Sequence, residues 1–547
     1  MATLPPGVGS EEFAAAIAKF EAAIGQQWVF KSDEDVALYR DAYSPERNEP
    51  TERLASAAVA PNAVEQVQQI VRIANEHKIP LYPISTGKNL GYGGSAPILS
   101  GSVVVDLKRM NRILSVDEGR CSCVVEPGVS YFDLYRYIQE RNVKVWIDCP
   151  DPGWGSLVGN ALDHGVGYTY GQYRDHFGSH CGMEVVLPSG ELMRTGMAAL
   201  ANDDAWADYK YGFGPYVAGL FGQANFGIVT KMGFWLLPEP EAYRRGTVFV
   251  PKRRDIIPLV NHVNYLENLG LIGMPGFRSP LGAARAREPE LEALIAKPGG
   301  PTDAELDRFA ESKGLASWSV ELQFYGPERT IAGSWEYANE RIGASIPGAR
   351  FEDGVAYRFP LTAEQQAEVH RTHRLVDIGV PNMAIFSIAG GRTEQNPDSA
   401  DGGQFYFAPM IPRTGEAVLE AGRLLGQAYR EAGLRYNEYF ATPACWHYRA
   451  FIMITSLPVS RLDPDVNRRS LAAFEHIAQI AAEHGWGEYR SPPFGVDLVM
   501  GAYSFNNHAL RRFCETLKDA VDPNGIMAAG RGGIWPKQLR ETREGGA

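Results

Sequence analysis

The sequence has no long apolar run, no block of basic residues and no pair of cysteines at metal-ligand spacing. Each absence removes a class of function. A bilayer-spanning helix needs about 20 mostly apolar residues, and no run here approaches that length. Lys and Arg number 53 against 65 Asp and Glu, a formal net charge of −12. An acidic chain without a basic patch is poorly suited to nucleic acid or to an anionic membrane surface. The six cysteines (Cys121, Cys123, Cys149, Cys181, Cys445 and Cys514) are scattered without a C-x-x-C pair. That argues against structural zinc and a disulfide framework, and for reduced thiols in a cytoplasmic protein. The opening residues Met1-Ala2-Thr3-Leu4-Pro5-Pro6 lack the basic and apolar regions of a secretory signal, which again points to the cytoplasm. Both standard phosphate fingerprints are missing too: there is neither G-x-x-x-x-G-K-[ST] nor G-x-G-x-x-G opening a helix.

What the sequence holds is core-forming material and glycine. Of 547 residues, 45% are hydrophobic, enough for a sizeable core, and the length favours at least two domains. Tyr, Phe and Trp number 25, 24 and 10, which suits a pocket for a flat ligand. The densest mixture of glycine and donors is Ile84-Ser85-Thr86-Gly87-Lys88-Asn89-Leu90-Gly91-Tyr92-Gly93-Gly94, after the strand-like run Ile79–Tyr82 and Pro83. Glycines let consecutive amides turn toward a ligand and form a concavity that attracts anions. This stretch therefore reads as an anion cradle, against the plainer reading of a surface turn. A second block runs from Asp148-Cys149-Pro150-Asp151-Pro152-Gly153-Trp154-Gly155-Ser156 to Gly159-Asn160, then Gly165-Val166-Gly167-Tyr168. It is either an irregular connector or backbone lying against a large ligand. Gln223–Thr230 again mixes glycine and amides with a β-branched run.

Apolar periodicity predicts helices over 11–24 and 33–40 and, after a short strand at Ala57–Ala60, a helix capped by Asn62 and running to about Lys78. Strands are expected at Ser102–Leu107 and near Cys123–Val125, and a helix from Tyr131 to about Gln139. A hairpin of Met183–Leu187 and Leu192–Thr195 is turned by Pro188-Ser189-Gly190. This is an α+β pattern. The texture changes at Leu236-Leu237-Pro238-Glu239-Pro240-Glu241, giving expected domains of 1–239 and 240–499, with 500–547 returning to the first. Beyond the change, strands at Thr247–Val250, Ser319–Phe324 and Ala450–Thr455 alternate with helices at Arg254–Leu269, Thr362–Val376, Gly415–Ala432 and Val466–Glu483. Asn396–Gly403 reads as a polar loop, and a last helix spans Asn507–Ala520.

Taken in order, the cradle Ser85–Gly94, the block Asp148–Asn160, Gly165–Tyr168, Met183-Glu184-Val185-Val186-Leu187-Pro188, Tyr489-Arg490 and the ending Asp522-Pro523-Asn524-Gly525-Ile526 resemble the vanillyl-alcohol oxidase and p-cresol methylhydroxylase family of flavoproteins. The resemblance covers about residues 1–240 and 480 to the end, and is looser between. It implies a two-domain α+β protein, an FAD-binding domain with an α+β cap, and no metal. It further implies that Ile84, Ser85, Thr86, Gly87, Lys88, Asn89 and Leu90 wrap the FAD pyrophosphate. Pro150, Asp151, Gly155, Ser156, Gly159, Asn160, Gly165, Tyr168 and the Gly227-Ile228-Val229 edge are then expected along the rest of the cofactor. By the same resemblance Arg531 faces the flavin pyrimidine, where positive charge stabilises an anionic reduced ring; its plainer role is a surface arginine.

Family members oxidise para-substituted phenols such as 4-alkylphenols and 4-hydroxybenzyl alcohols. A phenol ionised at its 4-hydroxyl pushes electron density to the benzylic carbon, so hydride can leave to flavin N5 and a quinone methide remains. Holding the phenolate calls for hydrogen-bond donors and a cation, roles that the resemblance gives to Tyr92, Tyr489 and Arg490. Asp151 is the implied acid/base; its plainer role is a turn residue before Pro152. Relatives with a histidyl–flavin bond carry histidine in G-[GA]-H-x-x-F-[SA]-P, and here the segment is Gly402-Gly403-Gln404-Phe405-Tyr406-Phe407-Ala408-Pro409. Gln404 has no nucleophilic nitrogen, so FAD is expected to be bound without a histidyl link and in the first instance non-covalently, Tyr406 being the nearby tyrosine. His447, beside Trp446, is either a site partner or a core histidine. The expected electron acceptor is O2, giving hydrogen peroxide; the alternative is a cytochrome c or copper protein. A flavin-binding scaffold without catalysis and an oxidase of sugars or hydroxy acids are further readings, and neither gives Tyr489-Arg490 a purpose. A homodimer or larger homo-oligomer is implied.

Overall fold

The computed structural model describes residues 3–89, 91–372, 375–385 and 402–544. Short apolar runs build the first sheet from Val29–Phe30, Ala57–Val59, Val103–Asp106 and Leu81–Ile84, in that spatial order. The last three run parallel, with Val103 beside both Ala57 and Leu81. Ala57, Val59, Val103 and Val105 have no exposed surface, as parallel strands covered on both faces require. Helices Ser10–Ile24 and Val64–His77 pack against this sheet, the second through Val67, Ile70, Val71 and Ala74. The expected Asn62 cap does not form. The residue ahead of the helix is Ala63, and Gln66, in the first turn, accepts through its carboxamide from the Asn62 N–H at 2.9 Å.

Five antiparallel strands form the second sheet, ordered Ile113–Asp117, Ser122–Val125, Ile228–Trp235, His180–Val186 and Leu192–Arg194. Met232 lies between Val125 and Met183. The last two strands are the expected hairpin, with Gly190 at φ +81° in its turn. Past Leu237–Pro238 the chain enters a four-stranded antiparallel sheet of Gly276–Arg278, Trp318–Gly326, Ala242–Val250 and Arg350–Arg358; helix Glu328–Ser345 packs on it, and helix Ile256–Asn268 packs against that helix. The strand Arg350–Arg358 escapes the periodicity because only Tyr357 in it is buried. The Thr362 capping pattern forms, Gln365 N–H donating to Thr362 Oγ1 at 3.2 Å, but the helix is Ala363–Thr372 and a separate 3-10 turn covers Leu375–Ile378.

The single strand expected at Ala450–Thr455 is two strands. Ala450–Ile452 pairs with Met410–Pro412, and Thr455–Ser460 pairs with Gly402–Phe407; at the break Met453 N–H donates to Pro409 O at 3.0 Å. Of the loop expected over Asn396–Gly403, Gly402 and Gly403 start a strand and the rest lies outside the described residues. One buried apolar cluster continues from Met183 and Val185 through Val248 and Val320 to Phe405 and Phe474.

The C-terminal segment comes back to the first sheet. Leu81 N–H donates to Ile526 O at 2.7 Å and Ala528 N–H to Leu81 O at 2.8 Å. A fully buried Lys518 fixes this return: its ammonium reaches Asp522 at 2.7 Å, Asn225 O at 2.8 Å and Met527 O. The Asn225 amide in turn donates to Ile534 O at 2.8 Å. In the last long helix, Phe505–Val521, residues Asn506, Asn507 and His508 are left-handed, so the right-handed part begins later than the expected Asn507. No helix among the described residues is long and apolar enough to cross a membrane.

Candidate active site

A cavity of about 450 Å³ collects the segments singled out by glycine content and those far from them in sequence. The strand Leu81–Ile84 ends at it, and Ile84, Ser85, Thr86, Gly87, Lys88 and Asn89 all line it. Leu90 lies outside the described residues. Asn89 closes the turn by accepting from Gly94 N–H at 2.6 Å. Gly91, at φ +71°, has no room for a side chain, since a Cβ there would stand 2.7 Å from the Gln404 carbonyl oxygen.

Pro150, Asp151, Gly155, Ser156, Gly159, Asn160 and Tyr168 line the cavity as well, with Gly227, Ile228 and Val229. Ser156 caps the short helix Leu157–Leu162, accepting from Gly159 N–H at 3.1 Å. A Cβ on Gly159 would fall 2.0 Å from Ser85 Oγ, so glycine is what lets the two loops meet. Gly165 departs from the expectation. It is absent from the lining; its N–H donates to Asn160 O at 2.7 Å and its Cα packs on the Asn160 side chain, which makes its close approach one to protein.

Tyr92, Tyr489 and Arg490 come together in this cavity. The Arg490 guanidinium lies 5.3 Å from the Tyr92 ring centroid and 4.7 Å from that of Tyr489. Arg490 Nη2 donates to Tyr489 Oη at 2.7 Å, and Tyr489 Oη donates to His164 O at 2.6 Å. Burial pushes the Tyr489 hydroxyl up to about 12, with Arg490 pulling the other way, and raises that of Tyr92 well above its ordinary value. Both therefore stay protonated near neutral pH and keep a hydroxyl hydrogen to donate. Tyr92 also stacks on Tyr406 at 5.4 Å between centroids, and Tyr406 accepts from Gln404 Nε2; both of the latter residues line the cavity. Behind the pair, the Glu488 carboxyl oxygens accept from Ala408 N–H at 2.7 Å and Arg490 N–H at 3.1 Å. Burial pushes it up to about 8 against those bonds.

Tyr82, Asp163, Arg174, Glu267 and Arg413, which sequence reasoning missed, hold this arrangement together with Arg531, Trp446 and His447. Asp163 lines the cavity and accepts from Arg531 Nη2, while Arg490 Nε stands 3.8 Å away. Burial acts to raise the Asp163 carboxyl, but Arg531 and Arg490 outweigh it and hold the group below its ordinary value. Arg531 Nη1 also donates to Tyr82 Oη at 3.2 Å. Trp446 lines the cavity with its ring 6.0 Å from that of Tyr489, and the His447 ring meets Tyr489 edge-on at 5.7 Å. Two buried arginines fix that turn: Arg174 Nε donates to Trp446 O at 2.8 Å and Arg413 Nη1 to His447 O at 3.0 Å. Glu267 bridges them. No local pattern announces Arg174, Glu267 or Arg413, because each partner lies far off in sequence. Asp163 at least lay beside the glycine-rich block.

The cavity fits FAD. It is lined by the glycine-bearing segments 84–89 and 155–160, an apolar strip at Ile228, Val229 and Val158, and the cations Lys88 and Arg531 for an anionic ligand. The FAD binding domain family matches residues 55–196. The fold and site thus define an FAD-dependent flavoprotein oxidoreductase. The chain is 32% identical over 539 residues to the 4-cresol dehydrogenase [hydroxylating] flavoprotein subunit of Pseudomonas putida, covering 97% of this chain and 98% of that one. It also superposes with a TM-score of 0.82 on the 4-ethylphenol oxidase from Gulosibacter chungangensis in its isoeugenol complex, at 35% identity and coverage of 98% and 100%. Substrate-bound p-cresol methylhydroxylase gives the same TM-score at 32% identity and coverage of 98% and 99%. The protein belongs to the vanillyl-alcohol oxidase/p-cresol methylhydroxylase family.

Proposed function

We propose that the protein oxidises para-substituted phenols, 4-alkylphenols and 4-hydroxybenzyl alcohols, at the benzylic carbon, through a quinone methide, and returns the electrons to O2 as hydrogen peroxide. The observation that carries this reading is one guanidinium, Arg490, lying against two un-ionised tyrosines in a buried cavity continuous with the cradle. FAD, when bound, supplies the hydride acceptor. Arg490 provides the charge that favours the phenolate over the phenol. Tyr92 and Tyr489 direct hydrogen bonds at the same oxygen, Tyr489 exchanging its bond to His164 O for one to the ligand. The ionised ring is then electron-rich enough to release hydride. Asp151, on the wall near Pro150, serves as the acid/base, activating water for addition to the quinone methide or taking a proton from a benzylic alcohol. The ring of Trp446 and the side chains of Ile385 and Ile454 supply apolar lining.

We further propose that 1–239 with 500–547 forms the cofactor domain and 240–499 the cap, which brings Tyr489-Arg490 over the cradle, and that the protein works as a homodimer or larger homo-oligomer. The tail bonded to Leu81 supports the first grouping. One relative is named as a dehydrogenase flavoprotein subunit, which favours a second reading: the same half-reaction with electrons passing to a cytochrome c or copper protein. Anaerobic addition of 4-ethylphenol should bleach the flavin, and mixing the reduced enzyme with O2 in a stopped-flow device separates the two. Rapid reoxidation with stoichiometric peroxide supports the oxidase; slow reoxidation by O2 favours the protein acceptor. No bleaching by any 4-alkylphenol removes both.

A further inference from the structure

One carboxylate stands between the two arginines of the cavity. Asp163 ends the helix Leu157–Leu162, its N–H donating to Gly159 O at 3.1 Å, and its side chain meets Arg531 through one oxygen and faces Arg490 at 3.8 Å through the other. Its position is therefore set by backbone and partners alike. Two guanidiniums and one carboxylate leave a single net positive charge. The neighbouring groups change this little near neutral pH. Glu488, beneath Tyr489 and Arg490, is raised by burial to about 8 and is mostly uncharged, and burial likewise keeps His164 uncharged. Tyr92 and Tyr489 are protonated. Asp175 acts on His164 and on Tyr489, and Lys88 and Asp151, of opposite sign, sit elsewhere on the cavity wall.

We infer that Asp163 is a positioning residue that couples Arg490 to Arg531 and sets the charge the cavity presents to an anion; this rests on the phenol-oxidising reading above. Attraction between charges in a buried site falls off slowly, so a phenolate on Arg490 also feels the carboxylate behind it. Without that carboxylate the phenolate is held more tightly. Without Arg531 the carboxylate opposes Arg490 alone, and the phenolate is held more weakly. Asp163 thereby limits ground-state binding, which beyond a point tightens the substrate without helping the chemical step.

The test uses the FAD-loaded enzyme and 4-nitrophenol, which has no benzylic carbon to oxidise and whose ionisation is visible by absorbance. Wild type should bind the phenolate. Asp163→Asn should bind it roughly tenfold more tightly, with the apparent pKa of the bound phenol lower by about one pH unit, and Asp163→Glu should restore both. Arg531→Gln should bind the phenolate roughly tenfold more weakly, and this variant keeps the coupling refutable if Asp163→Asn does not fold. Unchanged affinity and ionisation in Asp163→Asn or in Arg531→Gln, with wild type binding the phenolate, overturns the coupling alone. A wild type that takes only the neutral phenol overturns the coupling together with the reading beneath it.

Discussion

Replacing Arg490 with glutamine keeps a hydrogen-bond donor near Tyr489 Oη but removes the charge. A unit charge about 4 Å from a phenolate, at an effective dielectric near 20, is worth about 4 kcal/mol before costs. Arg490 is largely buried, with 14% of its side chain exposed, and desolvation opposes its charge, so part of the attraction is offset. A net loss of about 2–3 kcal/mol is the expectation, in line with charge-assisted hydrogen bonds. That is roughly 30- to 150-fold in affinity for the phenolate. The same energy appears in ionisation: the bound phenol's pKa should rise by about 1.5–2 pH units in the variant. The assay is the rate of anaerobic flavin bleaching by 4-ethylphenol across pH. Wild type should hold its rate to lower pH, and the acidic limb of the Arg490→Gln profile should move upward by that interval. Superimposable profiles with equal affinity would refute the assignment of charge to Arg490 and, with it, phenolate binding at this position.

Asp151→Ala should retain FAD, read from its visible spectrum, while turnover falls by about 10²–10⁴ as for loss of a general acid/base; full turnover removes Asp151 from the mechanism. A 4-methoxy analogue of 4-ethylphenol, unable to ionise, should leave the flavin oxidised, and equal bleaching by both compounds contradicts the phenolate argument. Acid precipitation should leave yellow supernatant, since Gln404 has no nucleophilic nitrogen; a yellow pellet would instead place a covalent link at another residue, Tyr406 being the tyrosine in the cavity wall. The Glu488 carboxyl rises on folding from an ordinary 4.5 to about 8, so the folded state binds the extra proton. Its contribution to stability is fully present below about 4.5 and is lost as pH climbs toward about 8. Glu488→Gln should lack that decline, and a Tm difference from wild type that stays flat across the interval would show that Glu488 does not titrate there.

The parts of the site visible in the sequence were those built from local chemistry. Gly91 and Gly159 are legible because a Cβ at either place collides with another segment, and a chain records such collisions as glycine. Tyr489-Arg490 was found by resemblance alone; as a dipeptide it has no pattern. Asp163 was passed over because nothing beside it marks a carboxylate whose partner, Arg531, is 368 positions away. The buried Arg174–Glu267–Arg413 group hides for the same reason, its members meeting only in the folded chain. In the fold, helices with a buried stripe such as Val64–His77 were placed well, whereas Arg350–Arg358, with one buried residue, offered no alternation to read. Gly165 shows the opposite error: a glycine inside a ligand-facing block that answers to Asn160.

The return of the tail to Leu81 has a consequence for how the protein is made. Arg531 is synthesised 449 positions after Tyr82, the residue whose hydroxyl it meets. A ribosome therefore makes Tyr82 and Asp163 long before the arginine that both of them meet. Until Lys518 has docked beneath Asn225, Tyr82 and Asp163 are without the arginine that meets them. Chains that stop ahead of Arg531 therefore carry the glycine loops without the arginine that Tyr82 and Asp163 meet.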